Sequence, residues 1–176
     1  MRSPMPNTPT PVGPGFAPVC GAQAAALILG SFPSPKSREQ GFYYGHPQNR
    51  FWPLLATLLG EEPPSLHDIP SKKNLIVSHN LALWDTVCRC TITGASDASI
   101  RDVHPNDVAA LVRRLGVRVV FCNGAASGRV YAKYAQPLTG LPAVVLPSTS
   151  PANAAYSLAR LQSVWGAAFA DAQILQ

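Results

Sequence analysis

Leu27–Trp52 reads LILGSFPSPKSREQGFYYGHPQNRFW, and the way its opening apolar run ends decides the fold class. The run stops at Gly30. A loop then carries Ser31, Phe32, Tyr43, Tyr44, His46, Asn49 and Arg50 before a second apolar run opens at Phe51. A strand that stops at glycine and opens into a polar, aromatic loop puts reactive groups at the carboxyl edge of a sheet. Open α/β sheets take their ligands there. Tyrosine rings offer flat faces, and Asn49 offers both a donor and an acceptor. Such a set suits a planar heterocycle better than a sugar alone or a lipid.

Further along the chain, Leu81–Trp84, Val117–Cys122 and Ala143–Leu146 are short and continuously apolar, as is Ala24–Leu29 within and before the first stretch. Continuous runs without alternation suit strands buried on both faces, as in parallel sheets. Helical patterns lie between them. Phe51–Leu59 stops at Gly60, Asp107–Leu115 follows a capping Asn106 and stops at Gly116, and Ala125–Tyr134 is a third. Asn153–Leu175 places Ala154, Leu158, Leu161, Trp165 and Phe169 three or four apart, an amphipathic C-terminal helix. Alternating strands and helices predict a three-layer α/β/α fold around a central, mainly parallel sheet of four or five strands. Glu61–Lys73 reads as a polar connection and Cys90–Pro105 as a long loop, a length often tied to function.

The 176 residues suffice for one domain with a full core and are too few for two ordinary ones. The start, through Val19, is proline-rich with no apolar signal region, so residues 1–21 read as a disordered lead-in and 22–176 as a single domain. No apolar run approaches the roughly 20 residues that span a bilayer. The expected location is cytoplasmic, with no membrane partner. Cys20, Cys88, Cys90 and Cys122 lack zinc-finger spacing, and no two His lie at i, i+4, so no metal is expected. The net charge is +5 and the pI about 9.3, compatible with a polyanionic partner. No Lys/Arg run exceeds two residues, so nucleic-acid binding would use a shaped site with few phosphate contacts.

Two other loops carry polar groups at predicted strand ends. Leu146–Asn153 reads LPSTSPAN. With a helix opening around Pro151 to Asn153, Ser148, Thr149 and Ser150 could hold a phosphate at its N-terminus, or serve as an ordinary cap before proline. Phe121–Gly124 reads FCNG, where Asn123 either pairs with an amide-like base edge or makes a turn. Asp85 ends the LALW run, as a base or polar clamp, or as a cap or arginine partner. His46 either assists a leaving group or holds its loop by a hydrogen bond. Asp97 and Arg101 are spaced for a local pair. Neither G-x-S-x-G nor a P-loop occurs, so hydrolase and NTPase readings lack their signatures.

Taken together, GSFP, YYGHPQNRFW, ALWD, FCNG and LPSTSPANA stand in the order found in the uracil-DNA glycosylase superfamily, and resemble its hypoxanthine-DNA (deoxyinosine) glycosylase branch. The resemblance spans about Ala24 to Trp165. The superfamily usually carries an Asp or Asn after the first glycine of motif one to position the attacking water, and this chain has Ser31. Motif two often opens with a His that stabilises the departing base, and this chain has Leu146. The hypoxanthine branch lacks both, and the Asn of its HPxN segment is the proposed substitute, here Asn49.

The resemblance implies a cofactor-free, monomeric enzyme that hydrolyses the N-glycosidic bond of deaminated bases in DNA. A flipped base would stack on Tyr44, beside Phe32 and His46, and meet Asn123 at its edge. Asn49, with Ser31, would be catalytic, the Asn49 side-chain oxygen holding the attacking water. Ser148, Thr149 and Ser150 would grip flanking phosphates, and Pro151–Asn153 would sit near the vacated stack. The rivals are a uracil- or mismatch-preferring glycosylase of the same fold and a non-catalytic module that binds damaged DNA.

Overall fold

The computed structural model describes residues 8–94 and 97–175. Strands β2 (Ala26–Gly30), β3 (Leu81–Asp85), β6 (Val119–Asn123) and β7 (Val144–Leu146) form one sheet in the order β3-β2-β6-β7, every neighbouring pair parallel. The sheet is thus four-stranded. In β2 all five residues are buried, as the unalternating sequence requires.

The two faces of β2 build two cores. Ala26 and Ile28 pack with residues of α2 (Phe51–Leu59), α3 (Ile69–Val77) and α7 (Leu158–Asp171), including Phe51, Leu54, Ile76, Trp165 and Phe169. Leu27 and Leu29 pack with α4 (Val108–Leu115) and with Tyr131 of α5 (Ala125–Tyr134). The expected α/β/α layering therefore holds. Each fully buried Leu or Ile contributes about 1.5–3 kcal/mol through removal from water. Among the described residues no helix is long and apolar enough to cross a membrane.

A second sheet departs from expectation. β1 (Thr10–Val12), β4 (Val87–Ile92) and β5 (Arg101–Pro105) form an antiparallel sheet in the order β1-β4-β5. Cys90–Pro105 therefore begins in β4 and ends in β5, and only the stretch between them is a connection. The chain passes from β3 to β4 through Thr86 alone, whose N–H and hydroxyl both donate to Gly30 O (2.8 and 3.2 Å). The apolar run Leu81–Trp84 marks β3 alone, and the β4 that follows, with buried and more exposed residues interspersed, carries no such mark. Arg101 Nη1 donates to Ala98 O and Ile100 O. The expected Asp97 partner has its side chain outside the described residues.

The proline-rich start is ordered from residue 8 onward, which corrects the disordered lead-in, while residues 1–7 lie outside the described residues. Backbone pairing and two aromatic donors explain it. Val19 exchanges both backbone bonds with Leu83 (2.8 and 2.9 Å), covering the free edge of β3. Trp84 Nε1 donates to Phe16 O (3.0 Å), and Tyr43 Oη to Ala17 O (2.9 Å).

Three helix boundaries also move. Asp107, not Asn106, caps α4, accepting from Ala110 N at 3.1 Å, while Asn106 Nδ2 donates to Asp85 O (2.8 Å). Within Glu61–Lys73 the helix α3 already starts at Ile69, capped by Asp68. α7 starts at Leu158 with Ser157 as its cap, five residues later than expected.

Candidate active site

The carboxyl ends of the four parallel strands open into a cleft of about 1080 Å³. Its walls bring together Gly30 and Ser31 at the end of β2, Asp85 at the end of β3, Asn123 and Gly124 at the end of β6, and Leu146–Ser150 at the end of β7. The loop before α2 adds Tyr44 and Asn49. Residues from four separate stretches of sequence therefore converge on one space.

Gly30 is required by crowding. A Cβ there would stand 2.4 Å from Asp85 Oδ1 and 2.9 Å from Tyr44 Oη. The floor of the cleft is thus a backbone surface roofed by a buried carboxylate and a phenol. Asp85 is 5% exposed. The phenol of neighbouring Tyr43 is pushed well above its ordinary range, first by burial and then by the Asp85 charge. Tyr44 sits at φ +53°, a left-handed backbone that a bulky residue adopts at a cost. That twist lays its ring on Phe51, with centroids 4.1 Å apart and planes tilted 32°.

One hydrogen-bond chain joins three of the loops. Thr149 N donates to Asn123 Oδ1 (3.0 Å), and Asn123 Nδ2 donates back to Thr149 Oγ1 (3.0 Å). The Thr149 hydroxyl then donates to Asn49 Oδ1 (2.8 Å), which also accepts Phe51 N–H (2.9 Å). Thr149 is wholly buried, so it holds the site from within and is not placed to grip a phosphate. Both lone pairs of Asn49 Oδ1 are occupied, so the oxygen is not open to an attacking water.

Arg50 holds the last loop. Its guanidinium donates to the carbonyls of Thr149 (3.3 Å), Ser150 (2.8 Å), Asn153 (3.2 Å) and Tyr156, and its backbone N–H also donates to Thr149 O (3.1 Å). Those carbonyls would otherwise accept helical bonds from four residues ahead. Residues 151–156 consequently form turns, and the helix N-terminus expected beside Ser148–Ser150 is absent. Ser148 Oγ accepts Ser150 N–H, and Ser150 Oγ accepts Ala152 N–H, both at 3.1 Å. Their hydroxyl protons remain for donation at the cleft wall.

Phe32 also lines the cleft, but its ring is buried with Val87, Cys90 and Ile92 of the second sheet's cluster. Asn153 lines it as well, its Nδ2 donating to Ser148 O (3.0 Å). His46 and Pro151 are not among the lining residues. His46 Nδ1 accepts Gln48 N–H at 3.0 Å, which makes it a loop holder. Arg50 as an anchor and Tyr156 as a wall carry no separate mark in the sequence. Asp85 does carry one, a charged residue closing an apolar strand. Among the described residues, no group of three or more His, Cys, Asp or Glu could hold a metal ion, and none of the four cysteines, two of them buried, is joined in a disulfide.

This geometry is that of a known group of proteins. Residues 17–170 match the family described as the uracil DNA glycosylase superfamily. The chain belongs to that superfamily. A hypoxanthine DNA glycosylase of Methanosarcina acetivorans is 36% identical over 161 residues, covering 88% of this chain and 96% of the relative. One of Methanosarcina barkeri is 33% identical over 156 residues, with the same coverage of both chains. The solution NMR structure of a Methanosarcina acetivorans protein, described as a candidate uracil DNA glycosylase, superposes with a TM-score of 0.74 at 32% identity. It covers 90% of this chain and 97% of that one. As a superfamily member, the protein carries its cleft at the edge of a parallel sheet, with the loops of motifs one and two as facing walls.

Proposed function

We propose that this protein is a DNA repair glycosylase that releases deaminated bases, hypoxanthine foremost, and leaves an abasic site. The observation that carries this reading is the convergence of Tyr44, Asn49, Asp85 and Asn123 on one cleft, in a chain whose relatives are named hypoxanthine DNA glycosylases. A base inside a duplex cannot reach such a cleft, so the nucleotide swings out of the stack. Extrusion costs on the order of a few kcal/mol, least for a mispaired base.

In the cleft, Tyr44 supplies an aromatic face backed by Phe51, and Asn123 keeps one N–H and one lone pair for the base edge. Cleavage breaks the bond between sugar C1′ and the base nitrogen. The electron pair leaves with the base, water adds to C1′, and its proton is released. Positive charge grows on the sugar and negative charge on the base. A fixed amide at Asn49 and the buried Asp85 carboxylate act on these charges through position, in a site already organised before reaction. The hydroxyls of Ser148 and Ser150 face the flanking backbone.

The test is a labelled duplex containing one deoxyinosine, with parallel duplexes containing deoxyuridine or a T:G mismatch, under single-turnover conditions. The expected result is abasic-site formation fastest on deoxyinosine. Faster release of uracil or thymine moves the assignment to the uracil or mismatch preference. Tight lesion binding without base release on any substrate sinks the enzyme reading.

A further inference from the structure

The direction of the hydrogen bonds around Thr149 fixes what Asn49 can offer to the cleft. Backbone N–H groups can only donate, so Phe51 N–H identifies Oδ1 of Asn49, and Thr149 N–H identifies Oδ1 of Asn123. Asn123 Nδ2 then donates to Thr149 Oγ1, leaving the Thr149 hydroxyl proton for Asn49 Oδ1. No step in this chain can be reversed without placing two donors or two acceptors face to face. The Asn49 amide is consequently locked with its oxygen turned into the protein. Its Nδ2 has no protein acceptor among the described residues, and Asn49 lines the cleft.

We infer that Asn49 works as a hydrogen-bond donor to the departing base, and that Thr149 is the positioning residue that imposes this polarity, a role resting on the glycosylase reading above. As the C1′–N bond breaks, its electron pair moves onto the base. The purine nitrogens and carbonyl oxygen become better acceptors, and an N–H held beside them stabilises the transition state more than the ground state. A donor of this kind takes the part of the His that motif two lacks at Leu146. It does nothing to raise the nucleophilicity of water, which an acceptor would do.

The two roles separate on one substitution. Asn49→Asp still accepts from Phe51 N–H and the Thr149 hydroxyl, so the loop is retained, but a carboxylate has no proton to give and repels a base gaining negative charge. The expected result is a loss of release rate on deoxyinosine of roughly 10²–10³-fold, the usual loss for a preorganised donor, matching Asn49→Ala. An Asn49→Asp rate at or above wild type would mean that Asn49 acts on water and would overturn the inference. Thr149→Val removes the hydroxyl at constant shape and should lower the single-turnover rate with little change in DNA affinity, whereas Thr149→Ser should restore it. Equal rates for Thr149→Val and wild type, with melting temperatures unchanged, would remove Thr149 from the positioning role. Wild-type protein that releases no base at all would instead defeat the parent reading.

Discussion

Replacing Arg50 by Met tests how the last loop is held. The side chain keeps its length and loses every donor. Four carbonyls lose a guanidinium bond, but they do not lose equally. Thr149 O keeps the backbone N–H of residue 50 (3.1 Å), Ser150 O keeps Asn153 N–H (3.0 Å), and Asn153 O keeps Tyr156 N–H (3.2 Å). Tyr156 O loses its recorded donor. A bond from a charged donor is worth roughly 1.5–3 kcal/mol where no other partner exists, and the shared ones about 0.5 kcal/mol each, giving about 3–4.5 kcal/mol in all. For a chain of this size that lowers the melting temperature by roughly 6–18 °C. Arg50→Lys keeps the charge but presents a compact ammonium in place of a planar fork, and should recover less than half of the loss. Thermal unfolding followed by circular dichroism reads both. A shift under about 3 °C for Arg50→Met would refute the anchoring argument. Single-turnover release should fall with it, because Thr149 moves with the loop.

Two further perturbations follow from the geometry. Gly30→Ala places a methyl group 2.4 Å from Asp85 Oδ1 and 2.9 Å from Tyr44 Oη. It should cost about 1–3 kcal/mol by overpacking and slow base release at least roughly tenfold, while a wild-type rate would show that the floor tolerates displacement. At high pH, burial pushes the Cys122 thiol up to about 11 and the Tyr43 phenol up as well. The unfolded chain therefore loses these protons first and binds fewer of them than the native state. Stability should be undiminished by Cys122 below pH 9 and should fall as pH rises from 9 towards 11. Cys122→Ala should flatten that fall in a series of denaturant titrations, and an unchanged slope would show that Cys122 does not contribute.

Much of the site could be read from the chain because strand ends mark themselves. Gly30, Asp85, Asn123 and Leu146 each close an apolar run, and the register of a parallel sheet then brings them to one edge. The central sheet and its two helical layers were legible for the same reason. What could not be read depends on contacts between distant residues. The pairing of Val19 with Leu83 orders a segment whose prolines suggest disorder, and β4 and β5 owe their place to pairing with each other and with β1 across a loop that shows no apolar run. The start of α7 was misplaced because Arg50, about a hundred residues away, occupies carbonyls that helical N–H groups would claim. The exhausted oxygen of Asn49 belongs to the same class, since its partner Thr149 is also a hundred residues distant.

The guanidinium of Arg50 reaches acceptors 99 to 106 residues further along the chain, and this has a consequence for how the protein comes into being. During synthesis, at about 5–20 residues per second, some 5–20 s separate the emergence of Arg50 from that of the carbonyls it holds. Within that interval β3 and then β6 emerge and can join β2, but the wall after β7 does not yet exist, and neither Asn49 nor Asn123 has Thr149 to orient it. If these residues act as proposed above, the nascent chain is expected to be catalytically silent until that wall docks. On the roles proposed above, competence to cut a glycosidic bond comes late in synthesis, and a C-terminal truncation before Tyr156 is expected to withhold it.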